Sequence, residues 1–95
     1  MKQDNKVLDM IKNQDYTNAL IYMENKIRDI LIEKLNDLNI KIDKTDYENV
    51  LDIVLKNIDE YYDIIIYLKN LFFLDELTEI EKVYELVNIY ELLIK

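Results

Sequence analysis

Glycine, proline, cysteine, histidine and tryptophan are all absent from this 95-residue chain, and alanine and arginine occur once each, as Ala19 and Arg28. Each absence excludes something. Without cysteine there is no disulfide, thiolate nucleophile or thiolate-held metal. Without histidine the commonest acid–base group at neutral pH and the commonest metal ligand are missing. Without glycine there is neither a phosphate-cradling P-loop nor a dinucleotide-binding turn. Long apolar runs are missing too. The greasiest stretch, Ile64 to Leu74, is broken by Lys69 and Asn70, well short of the roughly 18 residues that cross a membrane. The opening, Met1 to Asp9, is charged and lacks the apolar core of a signal peptide. The expectation is one soluble, cytoplasmic domain over residues 1–95, with no cofactor, no metal and no membrane contact.

What is present is acid, aliphatics and tyrosine. The formal charge is −8, and all of it is local. Residues 1–44 hold 8 basic and 8 acidic side chains, whereas residues 45–95 hold 4 basic and 12 acidic. Nucleic-acid binding needs cations to displace phosphate counterions, so direct contact with nucleic acid is not expected. The acidic half reads either as a solubilising face or as a surface for a basic partner. The chain is rich in Ile, Asn, Lys and Tyr, and their AT-rich codons suggest an AT-rich bacterial or phage genome.

With the two main helix breakers gone, long helices joined by short polar turns are expected, and the pattern predicts four. The first covers about Asp4 to Asn13, and Asp15 is placed to cap the second. The second runs from Tyr16 to about Leu38, with Tyr16, Leu20, Met23, Ile27, Ile30, Leu31, Leu35 and Leu38 at spacings of three and four, the stripe of a core-facing helix. Ile40 and Ile42 in the following loop are expected to tuck against the bundle end. Thr45-Asp46-Tyr47-Glu48 fits a capping box, so a long third helix is expected from there to Phe73. Its stripe is Tyr47, Val50, Leu51, Val54, Ile58, Tyr61, Ile65, Leu68 and Phe72. Thr78-Glu79-Ile80-Glu81 is a second capping box, opening a fourth helix to about Leu93 with Ile80, Val83, Tyr84, Val87, Tyr90 and Ile94 inward. The run Ile64-Ile65-Ile66 also suits a strand, but the helical period on both sides favours helix. The fold class is all-α: an antiparallel bundle of three long helices with a short N-terminal helix packed on it.

The segment Lys12 to Glu24 resembles the junction of tetratricopeptide repeats and the opening of HEPN-type helical bundles, through Asp15, Tyr16, Ala19 and Tyr22. Gln14 stands where that pattern has glycine. Residues 46–79 do not repeat it, and the element order is closer to the HEPN type. That resemblance implies a helical bundle that is either a ribonuclease or a non-catalytic partner protein. The ribonuclease pattern, Arg-x4-His, is not met, because five residues after Arg28 stands Glu33. Only the binding role carries over.

Carboxylates recur at i,i+4 in Asp59/Asp63, Asp75/Glu79 and Glu81/Glu85. Such pairs do acid–base work only when burial separates their pKa values, and inward carboxylates hold di-iron only with a histidine partner. No catalytic residue is expected. The eight tyrosines suit a base-stacking surface or a core of rings with wet hydroxyls. Tyr16, Tyr47, Tyr61, Tyr84 and Tyr90 fall on core stripes, while Tyr22 and Tyr67 lie off them. Arg28, between Ile21 and Ile32 on one strip, is either an interface anchor or the ion-pair partner of Glu24 or Asp29. On a helical wheel Ile53, Ile64, Tyr67 and Leu71 form a second apolar stripe beside that of Val54, and Leu86 and Leu93 do likewise on the fourth helix. Bare apolar patches of that size are uncommon on monomers, so a homodimer or a docked partner helix is expected there. The chain therefore reads as a non-enzymatic protein-interaction module, the alternative being a small acidic inhibitor that mimics nucleic acid. The candidate partner-binding residues are Ile53, Ile64, Tyr67, Leu71, Asp59, Glu60, Asp63, Glu81 and Glu85.

Overall fold

The computed structural model describes residues 5–43 and 45–95, with Asn5 and Phe72 through their backbone alone. The described residues contain no strand. Five α-helices follow one another: α1 (Asn5–Lys12), α2 (Tyr16–Asp37), α3 (Tyr47–Asn57), α4 (Tyr62–Asn70) and α5 (Glu79–Leu93). Single 3₁₀ turns at Asp59–Tyr61 and Leu71–Phe73 follow α3 and α4.

The first two helices end without glycine but in glycine's manner. Gln14 and Asn39 take φ values of 59° and 63°, the left-handed conformation that closes a Schellman motif. Asp15 N–H then reaches back to Met10 O at 2.8 Å, and Ile40 N–H to Leu35 O at 2.9 Å. Gln14 thus does the work of the glycine in the pattern that Lys12 to Glu24 resembles. Asp15 differs from expectation. It precedes α2 but makes no capping bond, and instead accepts from the Asn18 side chain at 2.9 Å.

The main correction concerns residues 45–73, which do not form one long helix. Asp46, not Thr45, caps α3, accepting from Asn49 N–H at 2.8 Å, while Thr45 Oγ1 accepts from the Asn49 side chain. Ile58 is extended (φ −128°, ψ 96°) and buried, so the chain turns there. The Asn57 side chain donates to Ile53 O at 2.7 Å, and Asn70, closing α4, donates to Ile66 O at 3.0 Å. A side-chain amide that bonds a carbonyl four residues back competes with the helix ladder. Both terminal asparagines therefore sit where propagation stops.

Helix directions also differ from an antiparallel bundle. Thr17 bonds Glu79 at 3.3 Å, Lys26 lies 5.0 Å over the Tyr90 ring, and Ile30 and Lys34 share a groove with Leu93 and Ile94. Positions rise together, so α5 runs parallel to α2. Helix α3 does the same: Glu24 acts on Tyr47, and Lys34 lies 5.5 Å over Tyr61. The segment 38–46 makes this possible. Nine residues can span roughly 30 Å, more than the roughly 20 Å that α2 rises between Glu24 and Asp37. It returns along the bundle with Ile40 and Ile42 packed on the core. Helix α1 folds back on α2, with Lys6 over Tyr22, and α4 folds back on α3, with Lys69 paired to Asp52.

The core is wholly apolar among the described residues, and no polar or charged residue is fully buried. Helix α2 supplies Ala19, Leu20, Met23, Ile27, Leu31 and Leu35. Leu38, expected inside, is 54% exposed. Helix α5 is rotated from its expected face. Val83, Leu86, Ile89 and Leu93 are buried, while Tyr84 is half-exposed. The Phe72 side chain, and Asp4 at the expected start of the first helix, lie outside what is described.

Candidate functional site

The expected second stripe is absorbed by this chain's own core. Leu71 is buried, and Ile53, Ile64 and Tyr67 are half-buried against the core. Leu86 and Leu93 are buried as well. The reason is the break at Ile58. It turns α4 back along α3, so two apolar sides that one straight helix would have left bare now face neighbours. Less of that stripe is left for a second copy than a straight helix would offer.

The acidic members divide. Glu81 closes the Thr78 capping box, its carboxylate accepting from Thr78 N–H and Oγ1–H at 2.9 Å each, and these bonds hold its pKa below the ordinary value. Glu85 accepts from the Tyr67 hydroxyl, and that bond pushes the phenol up to about 12. Asp59, Glu60 and Asp63 stand exposed at the α3–α4 turn.

That turn is built by its sequence. Ile58 anchors it in the core and accepts from Tyr61 N–H at 3.3 Å. Tyr61 packs inward under Lys34. Tyr62 opens α4 and is 54% exposed. Asp59, Glu60 and Asp63 suit their places electrostatically, since carboxylates are favoured at helix starts. The product is an exposed tyrosine flanked in sequence by three exposed carboxylates. Such a surface attracts a cation through the ring face and through ion pairing.

Two of the i,i+4 pairs are not carried on one continuous helix. Asp59 and Asp63 lie on either side of a 3₁₀-to-α junction, and Asp75 precedes α5. No group of three or more Asp, Glu, His or Cys able to hold a metal occurs among the described residues. No helix among them is long and apolar enough to cross a membrane. Arg28 pairs with Asp29 at 3.0 Å. Tyr22, expected as a contact residue, packs against the core with Lys6 and Lys26 each 5.5 Å over its ring.

One constellation escaped the sequence reading. Glu24 is half-buried between α2 and α3, and burial, then the charge of Glu48, raise its carboxyl from 4.5 to about 7. Across from it, burial pushes the Tyr47 phenol well above its usual value, and Glu24 and Glu48 push it further. The available signal was position: Glu24 is four residues after Leu20 and three before Ile27, inside the apolar stripe. A shallow groove of about 220 Å³ also lies where α2 and α5 end, lined by Ile30, Glu33, Lys34, Asp37 and Leu93 to Lys95.

Comparison with protein-family models, with curated proteins and with solved structures finds no match for this chain.

Proposed function

We propose that this chain is a non-enzymatic protein-interaction module that binds a basic segment of a partner protein at the α3–α4 turn. The observation that carries the reading is Tyr62, 54% exposed on the same short turn segment as the exposed carboxylates Asp59, Glu60 and Asp63. Tyrosine is among the residues that anchor interfaces, and arginine both stacks on aromatic faces and pairs with carboxylates. The uneven charge supports the same surface, because the whole net −8 belongs to residues 45–95. A field of one sign speeds encounter with an oppositely charged partner.

The test uses a fluorescently labelled arginine-rich peptide and an uncharged peptide of equal length, read by anisotropy against the full chain. The basic peptide is expected to bind, and to weaken as salt rises past physiological strength, where exposed charges are screened beyond about 8 Å. Tyr62→Ala, and the triple change Asp59→Asn, Glu60→Gln, Asp63→Asn, are each expected to weaken binding about tenfold or more, as loss of an interface anchor does. The double change Asp75→Asn, Glu76→Gln removes acid elsewhere and is expected to change binding little. Equal losses from both acidic sites would reduce the effect to net charge and reject the turn as the site.

A further inference from the structure

Glu24 Oε2 and the Tyr47 hydroxyl are the two buried side-chain polar atoms that lack a hydrogen-bond partner among the described residues. They belong to packed helices, and the charge of Glu24 acts on the Tyr47 phenol. An unmade buried hydrogen bond costs the desolvation of the group, so two such groups on packed helices are placed to gain from a bond between them.

We propose that Glu24 and Tyr47 form a proton-operated latch between α2 and the first turn of α3: protonated Glu24 bonds the phenol across the interface and holds α3 in place, and loss of the proton loosens that turn. A carboxylate could also accept from the phenol, but only as a buried negative charge beside Glu48. The neutral carboxyl makes an equivalent bond with no charge to bury. From α3, the group acting on Glu24 is Glu48, while Glu24 and Glu48 both act on Tyr47. On the other helices packed against α2, Lys6 of α1 lies over the Tyr22 ring, and Glu79 of α5 takes a bond from Thr17. On α2 itself, Lys26 lies over Tyr22 and Tyr90, and Arg28 pairs with Asp29. Beside burial, Glu48 is the charge that raises Glu24. Its raised carboxyl, at about 7, puts the latch in the neutral range.

The experiment is a carboxyl-carbon NMR titration of Glu24 in the full chain, with amide hydrogen exchange at Val50, whose N–H donates to Asp46 O at 3.1 Å in the first turn of α3. Glu24 is expected to titrate near neutrality. Protection at Val50, corrected for the intrinsic exchange rate, is expected to fall roughly tenfold between slightly acid and slightly alkaline pH, the equivalent of about one unit of coupled shift. Glu24→Gln, which keeps a donor and cannot ionise, is expected to keep its protection at both pH values. Glu48→Gln is expected to move the Glu24 midpoint down. The latch is overturned if Glu24 titrates in the ordinary carboxylate range, or if protection at Val50 ignores pH. An equal loss of protection in Glu24→Gln overturns it too. Should Glu24→Gln fail to fold, the Glu24 midpoint and its response to Glu48→Gln still decide.

Discussion

Leu71 separates two accounts of the apolar surface. On a straight-helix wheel it belongs to an interface stripe; in the folded chain it retains 1% of its exposure at the junction between α4 and the following 3₁₀ turn. Leu71→Ala removes three carbons. At about 0.8 kcal/mol per buried CH₂ the transfer loss is about 2.4 kcal/mol, and an unfilled cavity adds about 1 kcal/mol, for a total of about 3–4 kcal/mol. A domain of this length holds roughly 5–14 kcal/mol. Leu71→Ala should therefore fold, with its urea midpoint lowered by about 2 M. Leu71→Asp adds the burial of an unpaired charge, several kcal/mol more, and should not fold at neutral pH. Ile64→Asp, at a half-buried position, should fall between wild type and Leu71→Asp. Far-UV circular dichroism through a urea series reads all three. A Leu71→Asp protein that stays soluble and helical with the wild-type midpoint would refute the core assignment and restore the interface.

Other outcomes follow from single observations. Asp46→Ala should cost about 1 kcal/mol through loss of the α3 cap, and Thr45→Ala clearly less, as paired thermal melts will read. Gln14→Gly should stabilise the chain by about 0.5–1 kcal/mol, because the native φ is left-handed and only glycine takes it without strain; an unchanged or lower melting temperature would count against the Schellman assignment. The Glu24 carboxyl is raised from 4.5 to about 7 on folding, so its stabilising contribution is complete below pH 4.5 and lost as pH rises through 7. The full shift corresponds to about 3 kcal/mol, and solvent screening of this half-exposed group leaves about 1–2 kcal/mol. Urea midpoints for wild type and Glu24→Gln should therefore diverge across the neutral range, and parallel pH profiles would contradict this.

The fold was legible where local chemistry and period agree. Tyr16 to Asp37 keeps apolar spacings of three and four without interruption, and Thr78 with Glu81 forms the capping box its residues promise. The break at Ile58 was not legible by the same means. Val54, Ile58, Tyr61 and Ile65 continue the helical spacing straight across it, and no glycine or proline marks the spot. The terminating signal is weaker: asparagines at 57 and 70 whose amides turn back on the ladder. Asparagine is common in this chain, and only the folded context selects which ones act. The face of α5 was ambiguous for a different reason. Its apolar residues occupy so wide an arc that either Tyr84 or Leu86 could point inward, and packing against α2 decides for Leu86.

The candidate site was half legible, and the division has a physical cause. Charge counting sums over residues, so it locates acid in residues 45–95 but cannot tell a carboxylate held by a cap from one left to solvent. Charge counting weighs Glu81 and Asp63 alike, although the capping-box pattern marks the first; one spends its oxygens on Thr78, and the other stands exposed next to Tyr62 in the chain. The same sum hides Glu24 completely, because its half of the chain is balanced at 8 against 8. What distinguishes Glu24 is a parallel α3 that brings Tyr47 and Glu48 alongside it. Had the chain turned tightly after α2, as an antiparallel bundle would require, the start of α3 would have met the end of α2, and Glu24 would have kept water and an ordinary carboxyl. The long return of residues 38–46 is thus what creates both the parallel packing and the proton-sensitive contact within it.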